Sequence, residues 1–339
     1  MKHLYLFIIL FSLFSCREKP KPALSPSAPA PGRSLLLAQA PPVEGTPLPI
    51  DAIFEPARLQ IGDDLLYVSC FKGDTLIYTF SLPDCKLLNR FGRRGQGPDD
   101  LMFPTFPYAK KDTVSVWGYP DMKKIKTFRV DKTGAWHPIG EQYLPENQAY
   151  NQLVKANDSL AYYNAYPPSL TLKKINLHTC SYEKEHTFEM DKETGKAFFA
   201  KNKGDLALSG RHLAYLYYYA DRIDFLDPDF RLQTTYRGPR SQSAIEERDM
   251  RESIVYYLAS FAGEKYLYAV NHGRPLKYRT PESCTLEIFD WNGRLKKTVQ
   301  LSPGVDLFAV DEKNNQVYGY NYSRPDHFYR YPLSLGPDQ

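Results

Sequence analysis

Six times along this chain, at intervals of roughly fifty residues, a polar or acidic turn leads into a short strand-like run, and a second such run follows. The copies open at Asp63-Asp64-Leu65, Lys111-Asp112-Thr113, Asn157-Asp158-Ser159, Gly210-Arg211-His212, Glu264-Lys265-Tyr266 and Asn314-Asn315-Gln316. The second runs are Leu76–Phe80, Ile125–Val130, Leu170–Ile175, Arg222–Leu226, Leu286–Phe289 and Phe328–Tyr331. Apolar and polar residues partly alternate in them, and β-branched and aromatic types are enriched, which is the signature of strands rather than helices. Leu82-Pro83-Asp84, Asp131-Lys132-Thr133-Gly134, Asp227-Pro228-Asp229 and Trp291-Asn292-Gly293 supply turns. Six such units are too many for a two-sheet sandwich. The period predicts an all-β chain folded as a six-bladed β-propeller, whose small twisted sheets pack face to face and leave few edges bare.

Length and composition agree with one large domain. The 339 residues could hold two domains, but a propeller distributes its core between blades and grows as one. The 26 tyrosines and 19 phenylalanines are large side chains suited to packing between sheets. A net charge of +4 on a chain this long does not imply a nucleic-acid partner, which calls for a concentrated basic patch.

The N-terminus points to a compartment. Met1-Lys2-His3 and the apolar run from Leu4 to Phe11 read as the start of a signal peptide, too short to span a bilayer. Leu13-Phe14-Ser15-Cys16 resembles the lipobox of bacterial lipoproteins. That resemblance implies cleavage before Cys16, acylation of its thiol and new amino group, palmitate included, and anchoring in the cell envelope, with the outer membrane expected. Several acyl chains, at about 0.8 kcal/mol per buried methylene, make such an anchor stable. Residues 1–15 are then signal peptide, residues 16–49 a disordered tether rich in Pro, Ala and Ser, and residues 50–335 the propeller. The tether reaches up to roughly 100 Å if extended, with Leu35-Leu36-Leu37 as an apolar interruption. Four cysteines follow Cys16 in a compartment that permits disulfides. Cys70 and Cys85 fall out of register across a hairpin, and Cys180 and Cys284 sit on non-adjacent blades, so free thiols are expected. No Cys-x-x-Cys spacing suggests a metal or redox site.

Phe91-Gly92-Arg93-Arg94-Gly95-Gln96-Gly97-Pro98-Asp99-Asp100-Leu101, followed by Phe103-Pro104, resembles the inter-blade signature of six-bladed β-propeller lipoproteins of the Bacteroidetes type. It is similar also to the NHL-repeat pattern, from which Asp99-Asp100 departs where an acidic residue followed by an aromatic is usual. Only Tyr236-Arg237-Gly238-Pro239-Arg240 keeps a fragment of it elsewhere. The resemblance implies a TolB-like propeller of the envelope and no particular chemistry. The glycine order is not that of a nucleotide loop, and the glycines serve as turn residues.

No Gly-x-Ser-x-Gly or His-Glu-x-x-His is present, and the histidines lack ligand spacing, so neither an enzyme nor a cofactor is expected. The alternative is a metal-dependent hydrolase of the lactonase kind with its metal in the central channel. Asn151, Asp205 and Asp306 would be its ligands, although a polar channel lining explains them equally well.

In a propeller, the loops from second to third strand and from fourth strand to the next blade share one face. That face is expected to carry Arg93, Arg94, Tyr119, Tyr166, Tyr218, Arg222, His272, Arg274, Tyr322, Arg324 and His327, with Phe71 and Lys72. Asp63, Asp64, Asp112, Asp131, Asp158, Asp227, Asp229, Glu264, Asp311 and Glu312 fall opposite, which predicts an electrically polar domain. A face rich in Tyr and Arg suits an acidic envelope protein or an anionic glycan. The plainer reading makes the aspartates turn formers and leaves the arginines solvated. Two insertions are expected to decorate the ring: a helix from the capping box Ser243-Ala244-Ile245-Glu246 to about Ser253, and the stretch from Phe188 to Gly204.

Overall fold

Each of the six repeats lies in a sheet of four antiparallel strands in the computed structural model, one sheet gaining a fifth, parallel strand at its edge, and the two predicted runs are its second and third strands. The structure describes residues 41–50, 55–97, 99–119, 123–145, 150–165, 170–188, 199–240, 250–278 and 282–334. Two strands precede the first blade, β1 (Val43–Glu44) and β2 (Thr46–Pro49). Blade 1 is β3 (Pro56–Gly62), β4 (Leu65–Cys70), β5 (Thr75–Ser81) and β6 (Lys86–Arg93); blade 2 is β7 (Met102–Lys110), β8 (Thr113–Tyr119), β9 (Lys124–Val130) and β10 (Trp136–Tyr143). Blade 3 is β11 (Tyr150–Lys155), β12 (Leu160–Ala165), β13 (Thr171–Asn176) and β14 (Ser181–Thr187); blade 4 is β15 (Gly204–Ser209), β16 (His212–Tyr217), β17 (Arg222–Leu226) and β18 (Leu232–Arg237). Blade 5 is β19 (Ile254–Ala262), β20 (Tyr266–Pro275), β21 (Cys284–Asp290) and β22 (Leu295–Ser302). Blade 6 is β23 (Leu307–Asp311), β24 (Gln316–Tyr320) and β25 (His327–Pro332), completed by β2. The first strands β3, β7, β11, β15, β19 and β23 touch one another in turn and close the ring around a central channel.

The tether boundary at Pro49 is corrected by these pairings. β2 runs antiparallel to β25, with Thr46 opposite Arg330 and Pro49 opposite His327, and β1 lies parallel on β22, with Val43 opposite Leu301. Val43–Pro49 are therefore part of the propeller. A strand at a sheet edge tolerates Pro47 and Pro49 because one side of it needs no donor, which is how a proline-rich segment hides a strand. Residues 1–40, with the signal peptide, Cys16 and most of the tether, lie outside the described residues. No helix among the described residues is long and apolar enough to cross a membrane.

The insertions are smaller than expected where they are described. Met250–Glu252 forms a single 3-10 turn ahead of β19 in place of the end of a helix, and residues 241–249 lie outside the described set. Of the stretch after Phe188, residues 189–198 lie outside it, and Phe199–Asn202 makes one short helix, α1.

Underside turns repeat one device. Asp131, Asp227 and Asp290 each close the turn between third and fourth strand, with Oδ1 accepting the backbone N–H two and four residues on, at 2.8 and 3.1 Å, 2.8 and 2.9 Å, and 3.0 and 2.9 Å. Gly134 and Gly293 follow in the left-handed region, at φ 81° and 83°, and a Cβ on Gly293 would sit 2.4 Å from Thr234 of the neighbouring blade. Glu312 does similar work between blades. Its carboxylate accepts the backbone N–H groups of Glu264, Lys265 and Tyr266 at 2.7, 3.2 and 3.2 Å and the Tyr268 hydroxyl at 3.1 Å. Glu312→Ala removes the acceptor for all four, and an expected loss of about 2–4 kcal/mol in urea unfolding checks the role.

Among the described residues no two cysteines are joined in a disulfide, as their spacing suggested: Cys70, Cys85 and Cys284 are buried and Cys180 is exposed. Burial pushes the Cys85 and Cys284 thiols up to about 12. A chain beginning at residue 41 is expected to show a thiol reagent one reactive group when native and four after denaturation.

Candidate functional site

The first strand of every blade pairs on one side only, so its other edge turns backbone N–H and C=O groups toward the axis. The space they enclose is about 570 Å³ and is lined from all six blades. Gln152 of blade 3 already uses this edge: its amide donates to the Leu206 carbonyl at 3.1 Å and accepts from the Leu206 N–H at 2.6 Å. At the lower mouth, Lys110 of blade 2 reaches Glu264 of blade 5, the blade opposite, at 2.8 Å. Between the loops of the upper face, Arg58 of blade 1 stands opposite Asp205 of blade 4. They make no ion pair within 4.0 Å, yet the guanidinium is near enough to favour the ionised forms of both Asp205 and Tyr218. Tyr218 donates to Asp205 Oδ1 at 2.6 Å, while Arg58 is exposed and gives one bond, 2.8 Å long, to its neighbour's Ala57 carbonyl.

Burial raises Asp205 above the ordinary carboxylate value, and Arg58, the Tyr218 hydrogen bond and Lys203 oppose the shift. A raised folded value means that ionisation works against folding. The stability this group permits is complete below the unfolded value and declines as pH rises through the folded one. Asp205→Asn is therefore expected to raise the melting temperature at neutral pH by about 2–4 °C and to leave it nearly unchanged below about pH 4. Thermal melts at the two pH values check the sign.

Two of the three metal candidates already have partners within the protein. Asp205 is engaged by Tyr218, Asp306 accepts the Tyr322 N–H at 2.8 Å, and the Asn151 side chain lies outside the described residues. Among the described residues no three His, Cys, Asp or Glu side chains gather.

Most of the expected binding-face side chains are committed internally. Arg222 grips Asp224 through two bonds of 2.8 and 2.5 Å and lies 4.7 Å from the Tyr217 ring centre. Tyr322 donates to the Pro56 carbonyl at 2.8 Å and so ties blade 6 to blade 1. His272 Nδ1 meets the Tyr256 carbonyl at 3.2 Å, and half-buried Arg274 reaches the Ser283 carbonyl at 3.4 Å, burial lowering its guanidinium below the usual value. His327 is half-buried beside Tyr329. Tyr166 and the Tyr119 side chain lie outside the described residues. Arg93, Arg94 and Arg324 remain exposed on this face.

Phe71 was expected on this face, but its pairing with Phe103 was not visible in the sequence. Phe71 and Phe103 are 40% and 53% exposed, with ring centres 6.2 Å apart. Phe103 also holds φ at 53°, a left-handed conformation that bulky residues avoid. The Phe103-Pro104 pair reads from sequence as a blade junction, and its strain comes from a register shift between Met102 and Thr105 that spacing does not disclose.

Charge segregation between the faces is not found. Glu55, Asp74, Asp99, Glu252, Glu282 and Asp326 are exposed on the upper face, and Lys86, Lys111, Lys132, Arg211, Arg231, Lys265 and Lys313 on the lower. Opposite charges meet locally instead, as in Lys72 with Glu55 at 2.5 Å, Lys277 with Glu252 at 2.8 Å and Lys313 with Asp64 at 3.1 Å. The underside aspartates are turn formers, as the plainer reading had it for that face.

No known family of sequences matches this chain, and no curated protein sequence is detectably similar to it. Solved propellers are similar in fold. A putative exported protein of Bacteroides fragilis aligns with a TM-score of 0.55 at 10% identity, over 85% of this chain and 94% of that one. U3-55K aligns with 0.52 at 10% identity over 86% and 100%, and the RRP9 WD40 repeats with 0.51 at 10% over 86% and 98%. At such identities the likeness concerns the fold alone.

Proposed function

We propose that this chain is a lipid-anchored cell-envelope protein of the six-bladed, TolB-like kind, and that it binds an anionic glycan through its upper face rather than catalysing a reaction. The observation that carries the reading is the exposed Phe71–Phe103 pair on the face that also bears solvated Arg93, Arg94 and Arg324. A residue such as Phe103 in the left-handed region costs about 1–3 kcal/mol, and such strain concentrates where a side chain is presented for use. Aromatic faces stack on the C–H faces of sugars, and arginine forks pair with carboxylates or sulfates. A protein partner would favour a broad apolar centre, whereas the face around these rings is polar and carries both charges. The signal-peptide-like start, the lipobox-like Leu13–Cys16 and the likeness in fold to a putative exported protein of Bacteroides favour the envelope.

Residues 41–339 are expected to be retarded in gels containing polygalacturonate but not in gels containing dextran, and Phe103→Ala or Arg93→Glu with Arg94→Glu is expected to abolish the retardation. Equal migration in both gels overturns the glycan. If a photocrosslinker at position 103 then captures a single protein in intact cells, the partner is that protein. For the anchor, Cys16→Ser is expected to move the protein from the membrane to the soluble fraction and to remove palmitate label.

A further inference from the structure

The channel carries a more specific reading than the face around it. Its lower mouth is crossed by the exposed ion pair of Lys110 and Glu264 from opposite blades, and the part of the channel above that pair forms a cup. Inside the cup, Arg58 and Asp205 face each other from blades 1 and 4 without touching. The strands that carry these two charges are fixed in opposite blades, so a ligand lying between them would meet both. Arg58 offers a planar donor fork suited to a carboxylate. Asp205, with the Tyr218 hydroxyl already donating to its Oδ1, leaves acceptor oxygens that suit the O–H of a ligand hydroxyl. A dianion such as a phosphate is disfavoured by the Asp205 carboxylate opposite, which selects an acid of single charge. The remaining wall consists of free strand edges, and the Gln152 amide shows that their N–H and C=O groups take up polar partners. Such a wall suits a polyhydroxyl compound, and about 570 Å³ admits one or two sugar rings.

We infer that the cup binds the end of a sugar acid, its carboxylate on the Arg58 guanidinium and a ring hydroxyl on Asp205 and Tyr218. This deepens the glycan reading and rests on it in one respect, that the ligand approaches over the Phe71–Phe103 face. The sugar acid enters by its terminal residue, with the rest of the chain passing across Phe103. Binding is exchange of channel water for the ligand, and no bond is made or broken.

The test is titration calorimetry of residues 41–339 with galacturonate, digalacturonate, galactose and lactate at up to about 10 mM. The two acids of sugar type are expected to bind, digalacturonate the tighter, and galactose and lactate to give no heat. Arg58→Gln is expected to weaken digalacturonate about tenfold or more, the range for a lost hydrogen bond to a charged group. Asp205→Asn weakens it less while raising the melting temperature, so a loss of binding in that variant is not a loss of fold. Unaltered affinity in Arg58→Gln overturns the cup as the site, and equal binding of galactose overturns the acid. If polygalacturonate retards the protein while neither small acid binds, the cup proposal falls and the face reading stands; if both fail, both fall.

Discussion

A chain starting at Asp51 is expected to lose cooperative folding, while one starting at Pro41 keeps it. The ten residues between them hold β2, the fourth strand of blade 6, and β1, which extends blade 5. Without β2 the last sheet has three strands and the first and last blades are no longer joined through one sheet. The buried Phe328, Tyr329 and Tyr331 of β25 lose a neighbour, and the partly buried Val43 and Leu48 that pack on the largest core cluster are removed with the segment. Main-chain bonds go with them: Gly45 N–H to the Ser302 carbonyl at 2.7 Å and Ile50 N–H to the Asp326 carbonyl at 3.0 Å. Gly45 is needed because a Cβ there would stand 2.6 Å from the Tyr331 ring. Six paired residues and two partly buried aliphatics come to more than about 5 kcal/mol, against a total stability of about 5–15 kcal/mol for a domain. Circular dichroism melts and limited proteolysis of the two chains measure the difference, and a synthetic peptide of residues 41–50 is expected to restore the melt in trans. Melting temperatures within about 3 °C of each other would show that the ring closes by face packing without the strand.

What the sequence disclosed and what it hid follow from burial. The second and third strands of each blade are covered on both faces, as in β4, where all six residues are buried, and they read as dense apolar runs. Fourth strands lie at the rim: β14 is exposed along its whole length and its sequence, Ser181–Thr187, shows no apolar face. First strands line the axis and mix both kinds, which is why Arg58 passed unnoticed in Pro56–Gly62 and why only Asp205 of the channel pair stood out. The faces were assigned to the right loops, but a count of charges by loop could not see that Asp131, Asp227 and Asp290 spend their carboxylates on their own turns, or that Lys72 and Glu55 pair on the upper side. A carboxylate in a turn and a carboxylate on a binding surface have the same letter. Geometry separates them.

Trp136→Ala is the second change expected to have a large effect, and it tests face packing where the truncation tests edge closure. Trp136 begins the outer strand of blade 2 but packs into blade 1. Its ring stacks on Phe91, 4.8 Å away at 2°, and meets Tyr67 and Phe128 edge-on at 5.5 Å each. The indole N–H donates to the hydroxyl of fully buried Thr79 at 2.9 Å. Truncation of a buried tryptophan costs about 3–5 kcal/mol, and the abandoned Thr79 hydroxyl adds about 1 kcal/mol. Trp136→Phe keeps an aromatic stack and loses the hydrogen bond, with an expected cost of about 1–2 kcal/mol, so the pair of variants divides ring packing from polar satisfaction. Urea unfolding of both, with thiol exposure of Cys85 in blade 1 as a second probe, reads the effect at the interface and in the neighbouring sheet. In a ring each blade is held by two faces, so weakening one interface is borne by the other until the closure strand yields. If Trp136→Ala costs less than about 1 kcal/mol, the blades of this propeller are held by their closure and not by the aromatic faces between them.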